Sequence, residues 1–167
     1  GVSPVDVALG KGHGDALRVL LEYKADVALA ECARRACEGG YVSALRALVE
    51  HKADIHTCHP APFHAAAERA CTAVVCFLAA HGVDINAMPV QYGCSALHQA
   101  AASSHLFGPR VVASLLRHNA DPSLLDDRGR TPLACVSPFP GAHEVLCALS
   151  ATGVDVPDLD RQTEAWL

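Results

Sequence analysis

Five copies of one short pattern run through the 167 residues, and self-similarity at a steady step constrains a fold more than any local reading does. Five segments close on the same kind of pair: Ala25-Asp26, Ala53-Asp54, Val83-Asp84, Ala120-Asp121 and Val154-Asp155. The Asp-to-Asp steps are 28, 30, 37 and 34 residues. Ahead of each pair lies an apolar run with helical spacing, at 17–21, 45–49, 74–78, 111–116 and 145–149. Further upstream sits a second landmark, clearest as Thr131-Pro132-Leu133. Weaker copies are Ser3-Pro4-Val5, Ala61-Pro62-Phe63-His64 with Ala66, and Ser95-Ala96-Leu97-His98 with Ala100. Gly1, Gly93 and Gly129 stand two residues before three of these, and the second unit keeps only the apolar spacing of Ala33 and Ala36.

Each unit therefore reads as two helices. Ser or Thr ahead of Pro opens the first, because the hydroxyl caps free N–H groups and Pro is tolerated at the first helical position. A short turn such as Gly12-His13-Gly14 leads into the second helix, which should end on a residue in the left-handed conformation. Gly82 and Gly153 suit that role and Asn119 is acceptable, whereas Lys24 and Lys52 should be strained there. No single unit can bury its own apolar face, so stability has to come from stacking neighbours.

With both landmarks in phase five times, the chain resembles the ankyrin-repeat family over essentially its whole length. The resemblance implies an all-α solenoid of about five stacked helix-turn-helix repeats with short hairpin loops. It also implies one domain, with repeats near 1–27, 28–55, 56–88, 89–125 and 126–158. Residues 159–167 read as the start of a further or capping half-repeat, and the chain as a fragment of a longer protein. Three irregularities stand out. Little chain separates Asp26 from Glu31, so the first two repeats should join by a tight loop. Gly108-Pro109 marks a loop between the helices of the fourth repeat. Pro138 and Pro140, flanking Phe139, should end the first helix of the fifth early.

Composition narrows the function. Apolar residues are 51% of the chain but aromatics only 5%, so the core is built from Ala, Val and Leu, as close helix packing prefers. A net charge of −5 without a basic stripe argues against nucleic acid and against an anionic membrane surface. The longest apolar stretch falls well short of a membrane span. Eight cysteines, set among helical apolar positions, read as small reduced core residues of a cytoplasmic or also nuclear protein.

Family members, as the resemblance implies, bind partner proteins through hairpin tips and the exposed side of the first helices. Carried over to this chain, the tips are Thr57, Cys58 and Pro60, then Gln91, Tyr92 and Cys94, then Asp127, Arg128 and Arg130. First-helix positions are Glu38, Glu68, Arg69, Ala102, Ser103 and Phe139. A further column just before the helix-ending residue is Tyr23, His51, His81 and His118. Tyr92, Arg128, Arg130 and Phe139 are the expected anchors, since aromatics and Arg dominate interface energetics.

Other chemistry is thinly represented. His56-Thr57-Cys58-His59, near His64, has ligand types for zinc but no second compact couple to complete a tetrahedral set. His64 and His98 fall where the family keeps a structural histidine. The Gly10 to Gly14 stretch lacks the order of a phosphate-binding loop, and no nucleophile signature appears. No enzyme activity, cofactor, metal or small-molecule substrate is expected. Asn86, following Asp84-Ile85, stands in a context similar to that hydroxylated on family members by a 2-oxoglutarate-dependent asparaginyl hydroxylase. Otherwise it serves its own turn. The sequence thus points to a protein-binding module of a larger scaffold or signalling protein. The alternative is the substrate-recognition part of a cullin-type ubiquitin ligase adaptor, whose ankyrin-and-SOCS-box members share the Cys- and His-rich texture.

Overall fold

The computed structural model describes residues 3–23, 28–56, 62–103, 108–137 and 141–153. The chain divides into two compact units, residues 1–84 and 85–167. Among the described residues there are nine α-helices, one 3-10 turn and no strand.

The first unit holds three helical pairs: α1 (Pro4–Gly10) with α2 (Gly14–Glu22), α3 (Leu29–Gly39) with α4 (Val42–Glu50), and α5 (Pro62–Glu68) with α6 (Thr72–Ala80). α3 lies against α1 and α5, while α4 lies against α2 and α6, so first helices stack on first helices and second on second. The Ser-Pro start behaves as its chemistry requires. Ser3 Oγ accepts the Asp6 N–H at 3.1 Å, and the Asp6 carboxylate accepts the Ser3 N–H at 3.1 Å, which satisfies two of the helix's orphan donors reciprocally. Asp6 also pairs with Arg35 of α3, tying the first repeat to the second.

The core between these pairs is aliphatic. Leu17, Leu45, Leu48, Val74, Val75 and Leu78 have no exposed surface, and neither do Ala33, Ala36, Ala44 and Ala66. Small residues set the helix separation. A Cβ on buried Gly14 would stand 2.5 Å from the Ser43 carbonyl carbon, closer than any backbone can yield.

The second unit contains α7 (Ala96–Ala102), α8 (Gly108–Arg117), a 3-10 turn at Leu133–Cys135 and α9 (Ala142–Ser150). α8 packs on α7 and α9, and the short turn sits against both α7 and α9. The fifth repeat's first helix is thus cut to a single turn, in line with the early ending expected from Pro138 and Pro140, themselves outside the described residues.

Helix ends follow the expected column. Lys52, Gly82, Asn119 and Gly153 take φ of 63, 70, 64 and 76°, so Lys52 does carry the strain of a left-handed non-Gly residue; Lys24 lies outside the described residues. Ala70, in the turn between α5 and α6, joins Lys52 and Asn119 as a third left-handed non-Gly position, at φ 54°.

Two expectations need correction. Gly108 and Pro109 are not a loop but the first two residues of α8, both buried. Proline there is no breaker, because the first turn of a helix has no N–H bond for it to remove. Nor are all the cysteines core residues. Cys32, Cys37 and Cys135 are buried, but Cys71 and Cys94 are half-buried and Cys76 and Cys147 are exposed. Helical spacing alone does not say which side of an apolar run a small residue takes.

Candidate partner-binding surface

The second unit contains two hairpin segments, 85–95 leading into α7 and 121–131 leading into the 3-10 turn. Their backbones are tied together. The Asp127 N–H donates to the Gly93 carbonyl at 2.7 Å, and the Asp121 N–H donates to Asn86 Oδ1 at 2.8 Å. Asn86 therefore braces the following hairpin rather than only its own turn, with its side chain half-buried and its oxygen engaged.

Asp126 organises the second hairpin. Its side chain is 3% exposed and accepts the Arg128 N–H at 3.0 Å and the Arg130 N–H at 2.8 Å. The Arg130 guanidinium adds two bonds through Nε at 3.0 Å and Nη2 at 2.8 Å. Burial alone would raise this carboxyl, but those donors outweigh it and hold the group down at about 2. Cys135 also points its thiol at Asp126 Oδ2, at 3.7 Å. Burial, partly offset by Arg130 and reinforced by the Asp126 carboxylate, pushes that thiol up to about 11, which keeps it protonated and unreactive at neutral pH.

His98 locks the same hairpin to α7. Nε2 donates to the Arg130 carbonyl at 2.9 Å, and Nδ1 accepts from Ser95 Oγ at 2.8 Å. The carbonyl can only accept, so the proton sits on Nε2. This is the structural role the family resemblance assigns to the helix-start histidine. His64, its counterpart on α5, is 1% exposed.

Against that frame the expected binding residues separate into groups. Gln91, Asp127 and Arg128 are exposed on adjoining hairpins of the second unit, while Tyr92 is half-buried. Arg130 is spent on Asp126. Ser103 lies at the end of α7, half-buried. In the first unit Glu68 closes α5 and Arg69 follows it, both exposed, while Glu38 is paired with Arg34 on its own helix.

The column before the helix ends does something else. His51 Nδ1 donates to Ala47 O at 2.8 Å, a carbonyl that also accepts the His51 backbone N–H at 3.2 Å, and His81 Nδ1 donates to Phe77 O at 2.7 Å, so both rings bond a carbonyl in the last turn of their own helix. Tyr23 is 84% exposed, and His118 is half-buried. Thr57, Cys58, Pro60 and Phe139 lie outside the described residues, as does most of the His56–His59 cluster. Among the described residues no three His, Cys, Asp or Glu side chains are grouped to hold a metal ion, and no helix is long and apolar enough to cross a membrane.

Sequence reasoning missed two features here. Asp126 was passed over beside the more visible Arg128 and Arg130, although an Asp four residues before an Arg across a Gly is a signal for a side chain that closes its own turn. The apolar surface was missed too. Val90 is 99% exposed, and Leu125 and Met88 are 54% and 39% exposed, on the hairpin segments that carry Gln91 and Arg128.

Helical pairs stacked first on first and second on second in the first unit, and two hairpin segments bonded to each other in the second, define a helical repeat protein. The family of ankyrin repeats, as a profile of three copies, matches residues 33–121, more than half of the chain. Among solved structures 274 chains match. One is an ankyrin repeat domain from Acinetobacter baumannii AYE, 29% identical, with a TM-score of 0.75 over 89% of this chain and 80% of that one. No match is found among curated proteins. The chain belongs to the ankyrin-repeat family, whose members are in general protein-binding scaffolds rather than enzymes.

Proposed function

We propose that this chain binds a partner protein through the hairpin tips of its second unit, centred on Val90, Gln91, Asp127 and Arg128. The observation that carries this reading is a nearly fully exposed Val90 and an exposed Arg128 on two segments joined by the Asp127 N–H to Gly93 carbonyl bond, with Asp126 and His98 holding the segment that carries Arg128. A rigid loop loses little entropy on binding, and an apolar side chain beside Arg supplies both contact area and charge-assisted hydrogen bonds. Tyr92 adjoins this centre, Ser103 stands at the far end of α7, and in the first unit Glu68 and Arg69 offer a second, charged patch.

The test is affinity capture of partners by the wild type beside a Val90→Asp/Arg128→Ala variant, with circular dichroism as the check on folding. Partners captured by the wild type and lost by the folded variant support the reading; equal capture by both proteins sinks it. Asn86 remains a candidate for asparaginyl hydroxylation. Its engaged oxygen means an enzyme reaches it only when the Asp121 bond opens. A peptide gaining the mass of one oxygen after incubation with such a hydroxylase tests that point.

A further inference from the structure

Cys147 and His143 stand one turn apart on α9, and the Cys147 sulfur lies 3.6 Å from His143 Nε2. Side chains at i and i+4 meet on one face of a helix, and this spacing is within hydrogen-bond reach for sulfur. The contact belongs to α9 alone and lies outside the hairpin segments that carry Val90 and Arg128. Val145, Leu146 and Leu149 form the buried face of the same helix.

Register explains why Cys147 is accessible. Counted back from the Asp that ends each repeat, it takes the place of Arg18, Arg46, Cys76 and Ala113. The arginines and Cys76 are exposed and the alanine is half-buried, so this place faces outward inside the array as well as on α9. Other described thiols are set differently. Cys32, Cys37 and Cys135 are buried, and burial pushes the thiols of Cys32, Cys94 and Cys135 up. Cys71 directs its sulfur at the Gly40 carbonyl, 3.9 Å away. Cys76 shares the outward place, but four residues before it stands Thr72, a hydroxyl where α9 has an imidazole. An imidazole beside an accessible thiol is a proton acceptor, the arrangement that makes sulfur a nucleophile.

We propose that Cys147 is a site of thiol modification, assisted by His143, which takes a small disulfide such as oxidised glutathione. With the ring proton on Nδ1, His143 Nε2 accepts the Cys147 S–H. That proton passes to Nε2 as Sγ attacks one sulfur of the small disulfide. A new S–S bond to Cys147 forms while the old S–S bond breaks, and its electron pair leaves on the departing sulfur, which takes up a proton as a free thiol. Cys147 is thereby oxidised to a mixed disulfide, and the departing half of the small disulfide is reduced.

The experiment incubates the folded protein with oxidised glutathione, quenches in acid, and follows the mixed disulfide at each cysteine by peptide mass spectrometry. Cys147 is expected to react about tenfold faster than Cys76. His143→Gln should bring Cys147 down to the rate of Cys76, and Thr72→His should raise Cys76, with circular dichroism confirming that each variant is folded. Equal rates at Cys147 and Cys76 in the wild type overturn the proposal, as does an unchanged rate at Cys147 in His143→Gln. A loss in His143→Gln without a gain in Thr72→His also overturns it, because His143 then shapes α9 rather than accepting the proton.

Discussion

Arg128 and Arg130 differ by two positions and look alike in sequence, yet they belong to different parts of the molecule's chemistry. Arg130 neutralises a buried carboxylate, and removing it leaves Asp126 without its ion pair, so Arg130→Ala is expected to lower the thermal midpoint clearly. Arg128 offers the turn only its N–H, which any residue supplies. Arg128→Ala should therefore change stability by less than about 0.5 kcal/mol and act on partner binding alone. Differential scanning calorimetry on both variants separates the two roles, and equal losses would show that the Asp126 bonds do not hold the hairpin. Backbone strain gives a prediction of opposite sign. Lys52 and Ala70 adopt positive φ at a cost of about 1–2 kcal/mol each relative to Gly. Part of that gain is returned as Gly's larger unfolded-state entropy. Lys52→Gly or Ala70→Gly should thus stabilise by about 0.5–1 kcal/mol, read as a higher urea midpoint with an unchanged slope.

At the scale of elements, helix starts and ends were legible because each is fixed by one or two residues: Ser3 with Asp6, the Pro at the head of α5, and the left-handed column through Lys52, Gly82 and Asn119. What escaped was context. Gly108-Pro109 carries the same letters whether it interrupts a helix or begins one, and only the packing of α8 on α7 decides. Sequence shows the polar side chains of His51 and His81 but not the carbonyl four residues back that each one bonds. Tyr92 looked like an exposed tip but is half-buried. The contact between α2 and α4 gives the sharpest element-scale prediction. Ala has a better helix propensity than Gly by about 1 kcal/mol. At Gly14, however, a Cβ meets the Ser43 carbonyl group at 2.5–2.6 Å. Overpacking of that kind costs about 1–3 kcal/mol, so Gly14→Ala should lose net stability while the same change at exposed Gly10, with nothing within 4 Å, should not. Denaturant melts of the pair decide between propensity and packing.

Among the described residues, Asp6 in the first unit and Asp126 in the second are the carboxylates held farthest below the ordinary value, with Glu31 and Asp121 lowered as well. Asp6 in the first unit is held at about 2 by the Ser3 hydroxyl first and Arg35 second. Asp126 in the second is held at about 2 by the Arg130 and Arg128 donors against the opposing effect of burial. A carboxyl whose folded pKa lies below the unfolded value binds fewer protons when folded, so stability is full above the unfolded value and drains away as pH falls toward the folded one. The ordinary value of 3.8 sets the upper end of the window and about 2 the lower. Stability should accordingly change little on account of these two groups between neutral pH and about 4, where their contribution is full, then fall from about 4 to 2. Asp126→Asn starts lower at neutral pH, having given up the ion pair with Arg130, but it also removes that group's own share of the acid response. Its curve should therefore approach the wild-type curve as pH drops, while Asp6→Asn does the same for the first unit. Chemical denaturation at pH steps between 5 and 2 measures this. A constant gap between variant and wild type across that range would mean that the hydrogen bonds around Asp126 matter for its shape and not for its charge.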